Sequence, residues 1–490
     1  PESRAGRDSS SPGSHDRPPE CSSWESLADF DDALLEQLLE EKVPAKDEVY
    51  RQIAKDLEND LIVPVLLGSA LDDNGITRLW KTLRHDGPTA DATATRLGIP
   101  EAGALAATVV KTLHQSHTGK LSIARLWRGT IDDGQSFDGD RLSGLFHLHG
   151  TNPQKVTQAN AGELVALGRM ESLKTGQLLD ENGPVEGAEL IWPETPKPVY
   201  ALALTPQNRQ DEVKLTASLA KLIEEDASLA LEHNADTHQM LLWGQGEIQL
   251  QLAVERLKSK YNVAVETGRP LTAYKETIRR GIKQHSRFKR QSGGHGQFAD
   301  VQIEIKPLQR GRGFEFVNNI VGGAIPKNYI PAVDHGCQDY LSRGPLGFPV
   351  VDVQVTLFDG QFHSVDSSDQ AFKTAGRMAL SEGMPQCDPV LLEPIFEVVI
   401  SVPNEYTAKI HGLVSGRRGQ ILGFEAREGW PGWDRLRCYL PQSEVQDLIV
   451  ELRSLTSGLG TFEWRFDHLQ ELTGRLADKV IEARQSTAAE

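Results

Sequence analysis

Cysteine is scarce in this chain of 490 residues, and its four cysteines stand apart from one another. Cys21, Cys337, Cys387 and Cys438 form no Cys-x-x-Cys pair. The sequence therefore offers neither the ligand spacing of a structural zinc site nor the pattern of a disulfide framework, and a reducing compartment fits. Cys337 shares a predicted helical face with Val333, which predicts a buried, unreactive thiol.

Long apolar runs are absent as well. No uninterrupted stretch approaches the roughly 20 residues that a membrane-spanning helix needs, and no charged-then-apolar leader opens the chain. We therefore expect a protein that has no membrane partner and that works in the cytoplasm.

The sequence also contains no loop of the kind that hydrolyses nucleotides. Such a loop ends in Gly-Lys-Ser/Thr, because its amides cradle phosphates and its hydroxyl holds magnesium. The closest string, Thr118-Gly119-Lys120-Leu121, has neither the upstream glycine nor the metal-binding hydroxyl. Acidic and histidine pairs with metal-ligand spacing on one helix face are missing too. We expect the chain by itself to bind no nucleotide and no metal.

One strongly cationic stretch stands out from a chain whose formal charge is −17. It runs from Arg279 to Lys289 and Arg290 and leads directly into a glycine-rich loop. Cations packed this densely in an acidic chain predict a local patch that attracts phosphate, and glycines allow a close approach to a nucleic-acid backbone. We interpret the loop as RNA-facing, although a plain flexible hairpin tip has the same composition. Its residues are Ser292, Gly293, Gly294, His295, Gly296 and Gln297.

Composition and periodicity divide the first part of the chain into three segments. Residues 1–27 are rich in Ser, Pro, Gly and charge with little to bury, which predicts disorder. Residues 28–95 contain two helical patterns around a short apolar strand at residues 62–67. Residues 96–197 consist of short strand patterns broken by turns, which is typical of a small β-barrel.

The second part contains an internal repeat. Residues 198–272 and residues 393–472 follow the same order of β-α-β-β-α-β, which predicts two ferredoxin-like modules. Residues 273–392, between them, predict a domain with a βαβ crossover, and residues 473–490 form a C-terminal helix or tail. The predicted fold class is therefore α+β and multidomain.

A second candidate loop follows the last strand of the middle domain, at residues 361–368. Ser367 with Gln370 fits a capping box, which gives the serines and Asp366 a sufficient structural role. A Ser-His-Asp triad on one short loop would not converge geometrically. His363 has no capping role, so it predicts a donor or acceptor toward bases or ribose, and the alternative is a merely exposed histidine.

The order of these parts resembles translation elongation factor G: barrel, ferredoxin-like module, crossover domain with a glycine loop, and second ferredoxin-like module. The resemblance extends over residues 28–473. Its local strings are Gly244-Gln245-Gly246-Glu247, Gly322 to Val333, Gly344-Pro345-Leu346, Val365-Asp366-Ser367-Ser368, Pro389 to Pro394 and Arg417 to Gly423.

The resemblance implies that residues 292–297 and His363 form the tip of the family's fourth domain, which enters the small-subunit decoding site behind the moving tRNA. It also implies that Arg417 and Arg418 face large-subunit ribosomal RNA, where arginine's planar fork suits phosphates; a solvated helix end is the alternative. The implied partners are ribosomal RNA of both subunits and the tRNA–mRNA complex, and we expect a monomer.

The family's phosphate loop, switch regions, magnesium ligands and Asn-Lys-x-Asp motif have no counterpart in this sequence. Ser69 and Ala70 resemble its last guanine-contacting element, so residues 28–95 are expected to be the C-terminal remnant of a P-loop GTPase domain. GTP and Mg are implied for a full-length parent and neither for this chain, which is a fragment or a truncated product. His285, His295 and the segment Trp430 to Trp433 favour the elongation-factor-G-like branch.

The resemblance leaves three functions open. The first is a ribosome-binding factor whose parent couples GTP hydrolysis to the movement of tRNA and mRNA. The second is a ribosome-binding regulator that hydrolyses nothing. The third is a recycling or protection factor of the same superfamily, because those factors share the same RNA-contacting arms.

Overall fold

The computed structural model describes residues 32–40, 42, 45–59, 61–115, 117–137, 139–150, 152–188, 190–290 and 296–487. Residue contacts divide the chain into two compact units, residues 1–194 and residues 195–490. The segment predicted to be disordered, residues 1–27, lies outside the described residues. So do Ser292, Gly293, Gly294 and His295 of the glycine-rich loop.

In the part of the first unit that the structure describes, four helices precede the strands, and the last of them is capped by the Thr89 hydroxyl, which accepts from Ala92 N at 3.2 Å. Residues 61–68 form no regular secondary structure and pair with no strand in the part of the chain that the structure describes. The prediction of a strand at residues 62–67 is therefore wrong, because an extended segment becomes a strand only where a neighbour completes its backbone hydrogen bonds. The helices are α1 (Asp32–Leu39), α2 (Lys46–Glu58), α3 (Ile76–His85) and α4 (Ala90–Arg96).

Short antiparallel strands form the rest of the first unit. Seven of them make one sheet in the order β11-β10-β1-β2-β9-β6-β7, and β3–β8 and β4–β5 are separate pairs. The apolar faces enclose a core that includes Leu126, Ile131 and Phe137. The strands are β1 (Ala106–Gln115), β2 (Gly119–Arg128), β3 (Thr130–Asp132), β4 (Ser136–Phe137), β5 (Asp140–Arg141), β6 (Leu145–His149), β7 (Asn152–Val156), β8 (Gln158–Asn160), β9 (Leu164–Gly168), β10 (Leu178–Leu179) and β11 (Pro184–Val185).

The second unit opens with a sheet whose two helices share a leucine-rich core. Leu215, Leu219 and Leu222 recur at helical spacing and bury one face of the first helix. The antiparallel sheet has the order β13-β14-β12-β15. The neighbours β12 and β15 are therefore the first and the last of its strands along the chain. The elements are β12 (Tyr200–Pro206), α5 (Glu212–Glu225), β13 (Ala230–Asn234), β14 (Gln239–Gly244), α6 (Glu247–Tyr261) and β15 (Val265–Gly268).

The middle of the second unit is a four-stranded sheet in the order β17-β18-β20-β19. Its β19 and β20 run parallel and are connected through a helix, as a crossover requires. Cys337 is fully buried in its core, as predicted, and burial raises the pKa of its thiol. The elements are β16 (Lys275–Ile278), β17 (Ile282–Arg290), β18 (Gln297–Pro307), β19 (Phe314–Asn318), α7 (Ile330–Leu341), β20 (Val353–Gln361) and α8 (Asp369–Gly383).

The last sheet repeats the strand order of the first sheet of the second unit, with β22, β23, β21 and β24 in the places of β13, β14, β12 and β15. Strand β21 pairs with both β23 and β24, β22 lies at the edge beyond β23, and β16 also pairs with β21. The C-terminal helix packs Ala477 against Phe348 and Leu391. The elements are β21 (Pro389–Pro403), α9 (Thr407–Gly416), β22 (Gln420–Ala426), β23 (Trp433–Pro441), α10 (Gln442–Val445), α11 (Leu448–Leu455), β24 (Thr461–Leu472) and α12 (Arg475–Thr487). Among the described residues, no helix combines the length and the apolar character that crossing a bilayer requires.

Candidate nucleic-acid interface

The cationic stretch forms strand β17, which pairs with β18 in an antiparallel hairpin. Lys289 lies opposite Phe298 and Arg290 opposite Gln297, directly beside the glycine-rich loop. Both cations are exposed, whereas Ala299 and Val301 on the partner strand are buried in the core. Lys289 and Arg290 are consecutive and point to opposite faces of the sheet, and both lie in solvent at the end of the hairpin ladder.

Two arginines of the cationic stretch are paired with carboxylates of this protein. Arg287 Nε lies 2.6 Å from the Asp300 carboxylate, and Arg279 Nη2 lies 2.8 Å from Glu471 Oε2. Hydrogen bonding from Arg279 holds the pKa of Glu471 below its usual range. These arginines are neutralised by carboxylates from other strands. Lys289 and Arg290 have no such carboxylate partner among the described residues, so their charges are available to an external phosphate.

Two more cations of the stretch have partners inside the protein. Arg280 Nε donates to Gln386 O at 3.0 Å, and Lys283 Nζ lies 5.3 Å from the centroid of the Phe358 ring. A guanidinium on a carbonyl and an ammonium on an aromatic face each hold a side chain against the sheet. The base of the hairpin is thus stabilised by its own cations.

His363 follows strand β20 and is about half exposed. Its Nδ1 accepts from the backbone N–H of Asp366 at 3.1 Å, and its own backbone N–H donates to Ser367 Oγ at 2.9 Å. Nδ1 also lies 3.2 Å from Asp366 Oδ2, so this ring nitrogen is engaged by Asp366. Nε2 is then the ring nitrogen that His363 offers to a ligand.

The two loops at this end of the sheet are joined by hydrogen bonds. Gly296 N donates to Asp366 Oδ1 at 3.0 Å, and Phe298 N donates to Asp366 O at 2.8 Å. Ser367 Oγ donates to Phe298 O at 2.8 Å. The exposed cations of the hairpin and the imidazole of His363 therefore belong to one connected end of the sheet. We call Lys289, Arg290, Gly296, Gln297 and His363 the tip.

The structure corrects one prediction about this loop. Ser367 does not cap α8 in a capping box with Gln370. The cap is Ser368, whose Oγ accepts from Ala371 N at 3.2 Å. Ser367 instead links the loops, a role that sequence spacing could not reveal because its partner, Phe298, lies 69 residues away. Asp366 was likewise missed as a linker, since an Asp before a helix is an ordinary sequence signal.

Three family models match consecutive parts of this chain. The model for Elongation Factor G, domain III matches residues 195–269, the model for Elongation factor G, domain IV matches residues 270–388, and the model for Elongation factor G C-terminus matches residues 390–480. An Elongation factor G-like protein of Synechocystis sp. is 50% identical over 458 residues, which cover 93% of this chain and 68% of that protein. The chain belongs to the elongation factor G family.

A solved crystal structure supports the same assignment at the level of the fold. The structure is of a protein from Thermus thermophilus and aligns with a TM-score of 0.75 at 32% identity. The alignment covers 95% of this chain and 69% of that chain. Membership of the elongation factor G family assigns the chain a translation elongation factor type of function.

Arg417 and Arg418, which the family resemblance assigned to ribosomal RNA, are held by carboxylates of their own module. Arg418 donates to both Glu393 oxygens at 2.9 and 3.1 Å, and Arg417 Nη2 lies 2.6 Å from Glu451 Oε2. The Glu393 side chain is 6% exposed, so its charge depends on Arg418 for compensation. Their contact with RNA stays a prediction, and it does not enter the interface that we propose below.

Ser69 and Ala70, the predicted remnant of a guanine contact, lie in a tight turn of this chain. Ser69 Oγ donates to Asp72 Oδ2 at 2.8 Å, and Ser69 N donates to Asn74 O at 2.9 Å. Gly75 has a φ of 77°, which only glycine adopts freely, and it stands at the N-cap position directly before α3. Hydrogen bonds hold this turn, and the guanine contact stays a prediction.

The residues of this chain do not fit a complete GTP and Mg site. No Gly-x-x-x-x-Gly-Lys-Ser/Thr string occurs in its sequence. In the nearest string, Thr118 to Leu121, Lys120 Nζ donates to the carbonyls of Glu171 and Leu173 at 3.0 and 2.7 Å. Its ammonium therefore stabilises the segment that follows β9. Among the described residues, no group of three His, Cys, Asp or Glu side chains has the arrangement of a metal site.

Proposed function

We propose that this elongation factor G-like chain binds the ribosome and that its tip contacts RNA while tRNA and mRNA move. One observation carries the proposal: in a chain of formal charge −17, the hairpin presents exposed Lys289 and Arg290 at the same end of the sheet as the exposed imidazole of His363. The opposite charge of the rest of the chain disfavours non-specific contact with RNA, so attraction is concentrated at the tip.

The two kinds of group at the tip have different tasks in this proposal. Lys289 and Arg290 contact phosphates, which position the protein on RNA without reading sequence. His363 contacts a base or ribose through Nε2, because its Nδ1 is engaged by Asp366. Asp366 and Ser367 hold His363 and the hairpin in a fixed relation, so that both groups engage together.

Translocation by a full-length parent would draw on GTP hydrolysis, for which this chain supplies no phosphate loop. The partners that we propose are ribosomal RNA of both subunits and the tRNA–mRNA complex, for a monomeric cytoplasmic protein. Among the alternatives, recycling, protection and non-hydrolysing regulation all require ribosome binding too. They differ from translocation in what happens after binding, so the test has a binding arm and a rate arm.

The binding arm measures ribosome affinity of the full chain by sedimentation at several salt concentrations. The variant Lys289→Gln with Arg290→Gln should bind more weakly, and the slope of log affinity against log salt should flatten by about 0.9 for each phosphate that is no longer neutralised. The charge-matched control, Arg475→Gln with Lys479→Gln in α12, should keep the wild-type slope. An unchanged slope in the tip variant would refute RNA binding by the tip.

The rate arm uses a full-length factor that carries the same tip and measures single-turnover movement of mRNA. His363→Ala removes both ring nitrogens, whereas His363→Asn keeps an acceptor near the position of Nδ1. Both variants should slow movement and leave affinity largely intact, as should bulky residues in place of Gly293 and Gly294. Wild-type rates for all of them would defeat a translocation role and favour the alternatives.

A further inference from the structure

A short loop of the middle domain, residues 344–348, supports the C-terminal helix α12. The loop is closed by hydrogen bonds from Gly344 N to Phe348 O and from Gly347 N to Gly344 O, at 2.9 and 3.0 Å. Phe348 is buried and packs against Ala477 of α12. We call residues 344–348 the platform, because α12 is docked on them.

Few side chains attach α12 to the platform. Ala477 is the one buried residue of α12 among those that the structure describes, and Val480 and Ile481 are half-buried. Near the end of the helix, Arg484 Nε donates to Gly347 O at 3.2 Å. A helix that buries so little surface has a low local stability, so it can leave the platform while the sheets stay folded.

Glu276, on strand β16, holds the platform in its closed conformation. Leu346 N donates to Glu276 Oε2 at 2.7 Å, and Glu276 N donates to Pro349 O at 2.9 Å. The fit around the side chain is tight, because a Cβ added to Gly344 would lie 2.0 Å from Glu276 Oε1. The carboxyl is therefore the polar group around which the platform folds.

The surroundings of this carboxyl favour its neutral form. Glu276 is fully buried, and its Oε1 has no hydrogen-bond partner among the described residues. A buried carboxylate is costly unless its oxygens are paired. Burial accordingly raises the pKa of Glu276 to about 7, and the backbone amides of the platform offset only part of this rise.

We propose that the Glu276 carboxyl is a proton-controlled latch for α12. While the carboxyl is neutral, the platform stays closed around it and α12 stays docked. Ionisation destabilises the closed platform, because water hydrates the carboxylate only after the platform opens, and α12 then loses its support. Docking is thus fully stabilised below pH 4.5 and is weakened as the pH rises through about 7. This inference does not depend on RNA binding by the tip.

The other groups near the carboxyl keep their charge states over the same pH range. Tyr340 on α7 interacts electrostatically with Glu276, and burial raises the pKa of Tyr340 to about 12. Burial also raises the pKa of Cys387, which interacts with Tyr340, to about 11. Arg484 stays protonated at any such pH. Opposite Glu276 on β21 lies Leu391, which carries no charge. Among these groups, Glu276 alone titrates near neutral pH.

Release of α12 would change the place where the middle domain meets the last module. Phe348 and Leu391 are 7% and 1% exposed while the helix covers them. Leu391 lies on β21, the strand that pairs both with β16 and with strands of the last sheet. The latch therefore controls whether apolar surface at this junction is covered.

Hydrogen exchange of the full chain tests the latch. Protection factors of the platform and of α12 are compared at about pH 5 and pH 8, after division by the intrinsic exchange rates. Protection of α12 in the wild type should fall by up to about a hundredfold, since the pKa of Glu276 is raised from 4.5 to about 7. Protection in the centre of β21 should fall much less, because release of the helix leaves the sheet folded.

Two variants separate the latch from other effects of pH. Glu276→Gln stays neutral, so its α12 should keep the same protection at both pH values. The matched control Glu266→Gln removes an exposed carboxylate from β15 and should show the wild-type fall. A wild-type fall in Glu276→Gln would overturn the inference.

The wild-type profile tests the inference even where Glu276→Gln does not fold, because it needs no substitution. Constant protection of α12 between the two pH values would overturn the latch. Equal losses of protection in α12 and in β21 would overturn it as well, since they would show global unfolding rather than release of the helix.

Discussion

The backbone N–H of Gly296 donates to Asp366 Oδ1 at 3.0 Å, and this hydrogen bond joins the two loops of the tip. Gly296 and Asp366 are close together, because a Cβ added to Gly296 would lie 3.1 Å from Asp366 Cγ. The same aspartate offers its backbone N–H to His363 Nδ1 at 3.1 Å. Asp366 is thus a positioning residue that relates the hairpin to the imidazole.

Asp366→Ala should loosen the tip without unfolding the middle domain. It removes one hydrogen bond to a charged acceptor, which is worth about 1.5–3 kcal/mol locally. We expect faster hydrogen exchange at Gly296, slower single-turnover mRNA movement in a full-length factor, and nearly unchanged ribosome affinity. Asp366→Asn keeps an acceptor oxygen and should restore most of the protection; equal exchange at Gly296 in wild type and Asp366→Ala would show that the bond is unimportant.

Arg418→Met should destabilise the last module and leave RNA binding alone. The change strands the carboxylate of Glu393, whose side chain is 6% exposed, and breaking such a buried pair costs about 3–5 kcal/mol. Denaturant unfolding followed by a probe in that module measures the loss.

The comparison variant is Arg417→Met, whose carboxylate partner Glu451 is 51% exposed. Arg417 is itself 17% exposed and also donates to Glu444 O at 2.6 Å, so this change should cost about 1–2 kcal/mol, less than Arg418→Met because it strands no buried carboxylate. A flatter salt slope of ribosome binding for Arg418→Met would instead support the RNA contact that the family resemblance implies.

Glu276 should make stability depend on pH. Its side chain is fully buried, and Leu346 N donates to Oε2 at 2.7 Å. Burial raises the pKa of Glu276 from 4.5 to about 7, although backbone hydrogen bonds oppose the rise. Because the folded state holds the proton more tightly, the stabilisation is fully present below pH 4.5 and is lost as the pH rises through about 7.

The test compares free energies of unfolding for the wild type and Glu276→Gln between about pH 4 and pH 8. This range includes both the ordinary pKa of Glu276, 4.5, and its raised pKa of about 7. The wild type should lose up to about 3 kcal/mol relative to the variant as the pH rises. The exposed change Glu266→Gln is the control and should follow the wild type. Parallel curves for the wild type and Glu276→Gln would contradict the assignment.

Gly336→Ala should destabilise the packing of α7 on α8. A Cβ at Gly336 would lie 2.0 Å from Lys373 O, so the helices must move apart, at a cost of about 1–3 kcal/mol for overpacking. Gly412→Ala in α9 has open space around its Cβ and should stabilise by about 0.5–1 kcal/mol through helix propensity. Thermal melting of both variants measures the contrast, and shifts of the same sign would refute it.

Local signals were sufficient for several features of this protein. Helical and strand periodicity depends on neighbours in the chain, so the burial of Cys337 was predictable from its helical face. A segment with an apolar strand pattern, however, forms a strand only where a neighbouring strand pairs with it. Residues 61–68 carry an apolar strand pattern and remain unpaired in the described structure.

The sequence by itself determined the order of the elements, the missing phosphate loop and the place of the cationic hairpin, because all three are written in consecutive residues. Only the tertiary structure decided which cations remain available. Arg279 is neutralised by Glu471 from 192 residues away, and Gly296 meets Asp366 across 70 residues. Charge compensation and hydrogen bonding act through space, so their outcome depends on which strands the fold brings together.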